Sequence, residues 1–270
     1  MSTLDEVLAE VEHGDVTFPT HADVAFRVRL ALDDTDIPMA KAAQIIVAEP
    51  LLASRVVAVA NSVAFNRSGV PVADVKGAIS RLGLKFVRGL ATAVVMRQMA
   101  GSIRSPLYQG LAVRLWEHTV HVAALAHLLA ARFGLAADVA MFAGMVHEVS
   151  GFYLISRTDI SGDLFADGSL ITSEAEQRVG RAVLAALSVP TEVVTAIEVL
   201  WSDRPPAFPP HNLGELLNLA NRLTPIRSPL QNPGTEGFDL PMDEEAERQL
   251  TEILEQSSDE LAALTSALRY

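Results

Sequence analysis

Apolar positions recur along this chain at intervals of three and four residues almost from end to end, the period of a helix with one buried face. Val24, Val28 and Leu32 fall four apart and predict one such face. Pro50 fits a first helical turn, where its missing N–H costs nothing, and it holds Glu49 in the extended region where a cap falls. That helix is predicted over 51–61. Gly83 closes the next one with left-handed backbone, and another runs over 84–99. Residues 102–106 break the pattern. Long helices follow over 109–133, ended by Gly134, and over 136–147, then a short one over 152–156. Ser161-Gly162-Asp163 and Asp167-Gly168-Ser169 mark a loop. Ser173-Glu174-Ala175-Glu176 predicts a capping box, with the Glu176 carboxylate reaching back to its own helix start. Helices continue to 187, over 190–201 and over 213–223. Residues 224–241 carry Pro225, Pro229, Pro233 and Pro241 without periodicity. A single final helix opens at Asp243, its Leu250, Leu254, Leu261, Leu264 and Leu268 forming one stripe that must dock on the body or on a second copy. Val56-Val57 and Val94-Val95 sit inside helical patterns, so no strand is expected.

The fold class is therefore all-α, a multi-helix bundle. The expected organisation is an N-terminal helical lobe over 1–104, a second helical lobe over 105–224, a Pro/Gly-rich loop over 225–242 and a C-terminal helix over 243–270.

Composition narrows the function. Half of the 270 residues are apolar, ample for a large core. Twenty-one Lys and Arg face 33 Asp and Glu, a net charge of −12. A phosphate backbone repels such a chain, and no basic run offsets this, so no nucleic-acid partner is expected. With no cysteine, thiolate zinc sites, disulfides and cysteine nucleophiles are excluded. The acidic first residues lack a signal-peptide core, and stretches such as 139–146 and 193–201 are too short to span a bilayer. A cytoplasmic protein without a membrane partner is the expectation.

Three ordered segments carry a resemblance: Glu49-Pro50-Leu51-Leu52-Ala53-Ser54-Arg55, then Val59-Ala60-Asn61-Ser62, then Ala78-Ile79-Ser80-Arg81-Leu82-Gly83. They resemble the HDOD family (HD-related output domain) of bacterial signalling proteins, with Glu49 where Asp is usual. Further on, Trp116-Glu117-His118 and Gly144-Met145-Val146-His147-Glu148 look like its two histidine motifs. Gly180, Pro190 and Leu219-Ala220-Asn221-Arg222-Leu223 fit later segments. The resemblance covers about residues 18–223. It implies kinship with the HD metal-dependent phosphohydrolases, whose metal site takes a His, a His-Asp pair and a later Asp. Carried over, these positions fall on His118, His147, Glu148 and Asn221. The histidine pair of the cyclic-di-GMP-cleaving relatives falls near Leu200-Trp201, which cannot ligate. A further family histidine falls at Glu176, leaving Glu176 and Trp201 as pocket candidates.

These departures weigh against turnover. Asn221 supplies a neutral carbonyl oxygen where an anion is needed. Glu148 keeps the charge, but its extra methylene displaces the carboxylate by roughly one C–C bond, ~1.5 Å, against a catalytic tolerance of ~0.5 Å. Each candidate also has a plainer role. Glu148 can bond Ser150 or a helix terminus, Asn221 a buried backbone group, and His121 and His127, which follow His118 on the same helix with only His121 on its face, can snorkel or pack in the core. Asn61-Ser62 can end its helix through side-chain bonds. The expectation is thus a non-catalytic regulatory module with a signalling protein partner, no catalytic residue and no required cofactor. A weak phosphohydrolase holding a divalent metal ion, or a nucleotide-sensing pseudoenzyme, is the alternative. A homodimer through the leucine stripe stays open.

Overall fold

A computed structural model describes residues 3–14, 16–18, 22–34, 36–161, 173–202, 205–230 and 243–269. Every regular element among them is helical. Eight helices build the first part of the chain and its long spine: α1 (Thr3–Glu12), α2 (Asp23–Ala31), α3 (Met39–Val47), α4 (Pro50–Ala60), α5 (Val75–Leu82), α6 (Leu84–Met99), α7 (Pro106–Phe133) and α8 (Ala137–Val146). Then come α9 (Val149–Ser161), α10 (Ser173–Ala186), α11 (Thr191–Trp201), α12 (Leu213–Leu223), α13 (Glu244–Gln256) and α14 (Ser258–Arg269).

The helix ends follow local chemistry. Glu49 caps α4, accepting from the Leu52 N–H, and Pro50 stands in the first turn. Asp243 caps α13 through the Ala246 N–H at 2.8 Å. Gly134 ends α7 in left-handed backbone, φ 71° and ψ 23°. Gly83 also has positive φ, 81°, but its ψ of 150° puts it outside the left-handed helical region that the sequence predicted. Asn61 and Ser62 do end α4. Ser62 donates to the Val59 carbonyl at 2.7 Å, and Asn61 pairs with both backbone groups of Val72 at 2.8 Å.

The core is centred on α7. Its Leu115, Leu125 and Leu129 pack with Met141 on α8 and with Phe152 and Tyr153 on α9, all fully buried. Helix α6 lies against α2, α4 and α5 on one side and α8 and α9 on another. Arg29 ties α2 to the turn after α10: it is 3% exposed, donates to Thr92 at 2.8 Å and to the Leu187 and Ser188 carbonyls at 3.0 and 3.2 Å, and pairs with Asp33. One helical segment, Ala137–Thr158, is long and apolar enough to cross a bilayer by length and composition, and 94% of its apolar window is buried within the helical body. The shorter runs read from the sequence join here because α9 starts directly after Glu148, far earlier than the predicted 152–156.

Two expectations are corrected. Val24 is 50% exposed, so the buried face of α2 carries Ala25 and Val28, with Leu32 just beyond its end. The predicted single C-terminal helix is two, broken at Ser257 (φ −103°, ψ 5°). Consecutive serines compete for the backbone there, and Asp259 and Glu260 favour a new helix start. The stripe divides accordingly. Leu250 and Ile253 are buried on α13 and Leu264 and Leu268 on α14, while Leu254 and Leu261 are half-buried. The predicted loop over 161–169 lies outside the described residues beyond Ser161.

Candidate metal centre

Helices α7 and α8 approach closely at Gly144. A Cβ placed there would sit 2.5 Å from the Ala123 Cα and 2.8 Å from its nitrogen. Only the bare glycine backbone permits this approach. It sets His147, just past the end of α8, beside His118, in the middle of α7.

The two imidazoles meet through Nε2, 3.1 Å apart. Each ring's other nitrogen is already committed. His118 Nδ1 donates to the Ile226 carbonyl at 2.7 Å, and His147 Nδ1 donates to the Gly144 carbonyl at 2.7 Å. A carbonyl can only accept, so Nδ1 of each ring carries a proton, and wherever a ring is neutral its Nε2 is the lone-pair nitrogen facing the shared space. Glu148 Oε1 lies 3.5 Å from His118 Nε2 and 3.8 Å from His147 Nε2. One ligand atom from each of His118, His147 and Glu148 falls within 4.8 Å of the others. Burial pushes His147 down to about 4, with Glu148 pulling it the other way and His118 adding to the depression. At neutral pH no proton of His147 fills the space between the rings. Facing lone pairs beside a carboxylate, with outer nitrogens fixed by carbonyls, is a donor set suited to a divalent cation.

The lid is irregular backbone. After α12 the chain returns over α7, so that the Ile226 carbonyl accepts the hydrogen bond of His118 Nδ1. Leu230 then covers Gly151, where an added Cβ would lie 2.3 Å from Leu230 Cδ1 and 3.7 Å from Glu148 Oε2. His118, His147 and Glu148 are 0%, 5% and 7% exposed.

Glu176 bonds beyond its own helix. Its carboxylate accepts from the Ser150 hydroxyl at 3.2 Å, beside Glu148. The Ser173 side chain lies outside the described residues. Ser150 thereby serves Glu176 and not Glu148, as the plainer expectation had it. Burial, and then the neighbouring Glu148, push Glu176 up to about 7. Trp201 walls the same side. Its ring would lie 2.8 Å from a Cβ on Gly180, which itself would be 3.6 Å from Ser150 Cβ, and Arg181 stacks on its other face at 5.3 Å. Asn221 lies on α12, which packs on α7, and its Oδ1 is buried without a hydrogen-bond partner among the described residues. His121 donates to the Glu117 carbonyl on its own helix at 2.8 Å. His127 is packed against Phe65 at 5.1 Å, and burial lowers it. Neither joins the cluster.

Because Glu176 holds its proton more tightly folded than unfolded, its stabilising contribution is fully present below the ordinary carboxyl value and is lost as pH rises through about 7. In chelator-treated protein, Glu176→Gln is expected to gain about 1–3 kcal/mol on wild type between pH 5 and pH 8. Urea unfolding of both proteins at the two pH values measures it; parallel pH dependences would refute it.

The HDOD domain profile matches residues 18–199. The chain belongs to the HDOD domain family. Solved structures share the fold. An HDOD domain protein of unknown function from Geobacter sulfurreducens superposes with a TM-score of 0.62 at 19% identity, over 97% of this chain and 96% of that one. A protein from Shewanella amazonensis SB2B, provisionally named a metal-dependent phosphohydrolase, gives 0.61 at 21% identity over 100% and 99%. A protein from Marinobacter aquaeolei VT8, provisionally named for signal transduction, gives 0.58 at 20% identity over 99% of this chain and 65% of that one. No curated protein matches the sequence significantly. Within the HDOD fold, the sequence had pointed to His118, His147 and Glu148, which the structure brings together. It had not pointed to the Ile226 carbonyl, to Leu230 or to the Ser150 bond of Glu176. A backbone acceptor in a proline-rich loop leaves no residue-type signal. The close glycines did leave one, since Gly144, Gly151 and Gly180 all stand where a neighbour fills the space of a side chain.

Proposed function

We propose that this HDOD chain is a non-catalytic regulatory module that acts through contact with a partner protein, its HD-like cluster retained as a buried cation-competent core. The observation that carries this reading is the closure of the cluster. All three side chains are less than a tenth exposed, beneath the Ile226 carbonyl and Leu230. A phosphoryl substrate needs an open coordination position beside the ion. His118, His147 and Glu148 would hold a divalent ion, with the buried Oδ1 of Asn221 as a neutral fourth donor. When bound, such an ion supplies polarisation of an oxygen ligand. The chain's own groups add what is specific here: the Ile226 and Gly144 carbonyls orient both imidazoles, Leu230 excludes water, and Glu176 keeps a proton near Glu148.

The test is hydrolysis of a phosphodiester ester and of cyclic dinucleotides with Mn²⁺, Fe²⁺, Mg²⁺ or Zn²⁺ present. Wild type is expected to match His147→Ala at background. Turnover that His147→Ala abolishes would establish the second reading, a metal-dependent phosphohydrolase, which the preset Nε2 lone pairs and Glu148 favour. That result requires residues 224–230 to open.

A further inference from the structure

Two of the segments that carried the family resemblance do not meet at the histidine cluster. Leu51 and Arg55 of α4 and Trp116 of α7 line a groove between those two helices, floored by Val94 and Arg97 of α6. In this chain the groove is filled by α14. Leu268 lines it, and Leu264 and Leu268, four residues apart on one helical face, are both fully buried. The C-terminal end of α14 is held by two donors and one carboxylate of the groove. Arg55 donates to the Ala267 carbonyl at 2.7 Å, Trp116 Nε1 donates to the Arg269 carbonyl at 3.1 Å, and Arg269 pairs with Glu117 at 2.7 Å. Arg97 stacks on Trp116 at 5.7 Å, adding a second cation to that end. Donors and positive charge at one end of an apolar trough recognise the negative end of a helix.

The seat is nevertheless poorly fitted to its occupant. The Thr265 hydroxyl is buried under α14 with no hydrogen-bond partner among the described residues. A space of only about 10 Å³ is left where Leu268 meets Leu51, Arg55 and Trp116. Among the described residues α13 packs chiefly on α14, and α14 packs on α7 and α4. The buried orphan hydroxyl penalises the docked state.

We infer that the α4–α7 groove is a docking site for an amphipathic helix of a partner protein, with leucines four residues apart and its C-terminal end at Arg55 and Trp116, and that α14 occupies it in cis until displaced. This inference rests on the regulatory reading and supplies its contact surface. A partner helix with an aliphatic side chain at the position of Thr265 would lack the orphaned hydroxyl and fit better than α14.

The experiment uses the full chain carrying Leu264→Asp and Leu268→Asp, which removes α14 from the groove. A fluorescent peptide of residues 243–269 is titrated against it and followed by anisotropy. The double variant is expected to bind the peptide at least tenfold more tightly than wild type, whose groove is occupied. Adding Arg55→Ala is expected to weaken that binding at least tenfold. A double variant that keeps a helical spectrum and a cooperative melt but binds no peptide overturns the inference, as does binding indifferent to Arg55. If the double variant does not fold, hydrogen exchange on wild type decides. Amides of 258–269 exchanging at least tenfold faster than those of α7 support a displaceable helix, and equal protection overturns it. A wild-type mass in solution of twice 29.0 kDa with α14 exchanged between copies assigns the groove to a second copy instead of a partner. Phosphohydrolase turnover, by contrast, would unseat the regulatory reading while leaving the peptide result intact.

Discussion

Gly144→Val is expected to cost more than about 3 kcal/mol, at or beyond the upper end of overpacking penalties, because the atoms in its way cannot move aside. A Cβ at 144 would meet the Ala123 Cα at 2.5 Å and its nitrogen at 2.8 Å, both backbone of α7. A flexible side chain can swing away; a helix axis must translate. Moving α7 from α8 disturbs the core at Leu125, Leu129 and Met141 and parts His118 from His147. Chemical denaturation should therefore show a large fall in midpoint, with loss of any metal binding. Gly110, also on α7, is the control. Its nearest neighbour would be the Arg114 guanidinium at 3.9 Å, and Gly110→Ala should stabilise by about 0.5–1 kcal/mol through reduced backbone entropy alone. A Gly144→Val protein as stable as wild type would show that α7 and α8 do not approach as described.

A comparable effect is expected from divalent cations. A preformed site that exists only in the folded chain stabilises it by binding, by about 2.7 kcal/mol at a free ion concentration of a hundred times Kd. For a chain of this size that raises Tm by about 5–10 °C. Two imidazoles and one carboxylate suit Zn²⁺ or Mn²⁺ better than Mg²⁺, which prefers an all-oxygen shell. Chelator-treated protein should gain this increment with Zn²⁺ or Mn²⁺ and lose the gain in His147→Ala. His127→Ala, which disturbs a buried histidine outside the cluster, should lower Tm yet keep the metal-dependent rise. No rise with any ion would mean that the facing lone pairs of His118 and His147 are reconciled in some other way.

Much of this architecture was legible wherever one residue type serves one local need. Glu49-Pro50, Gly134 and Asp243 announced their helix ends because capping is decided within four residues. Helical periodicity excluded strands because a period of 3.6 cannot line one face of a sheet. Legibility failed where the deciding contact is distant. Val24 obeys the four-residue spacing, yet the path of α2 over α6 leaves it half in solvent. The capping-box pattern at Glu176 says nothing of Ser150, 26 residues earlier, whose hydroxyl donates to its carboxylate. Arg29 reads as an ordinary charged helix position, although carbonyls 158 and 159 residues away bury it. The cluster shows the same division: residue types named His118, His147 and Glu148, while the carbonyl that fixes the His118 tautomer belongs to a segment whose side chains say nothing about it.

His118 has a consequence of its own. Its Nε2 faces the cluster and its Nδ1–H holds Ile226, and the two nitrogens share one aromatic π system. Charge drawn from Nε2 makes the opposite N–H a stronger donor, as in any polarised hydrogen-bond chain. The imidazole therefore acts as an electrical junction between the interior of the protein and residues 224–230, able to register what sits among the ligands in the strength of one bond, with no side chain changing rotamer.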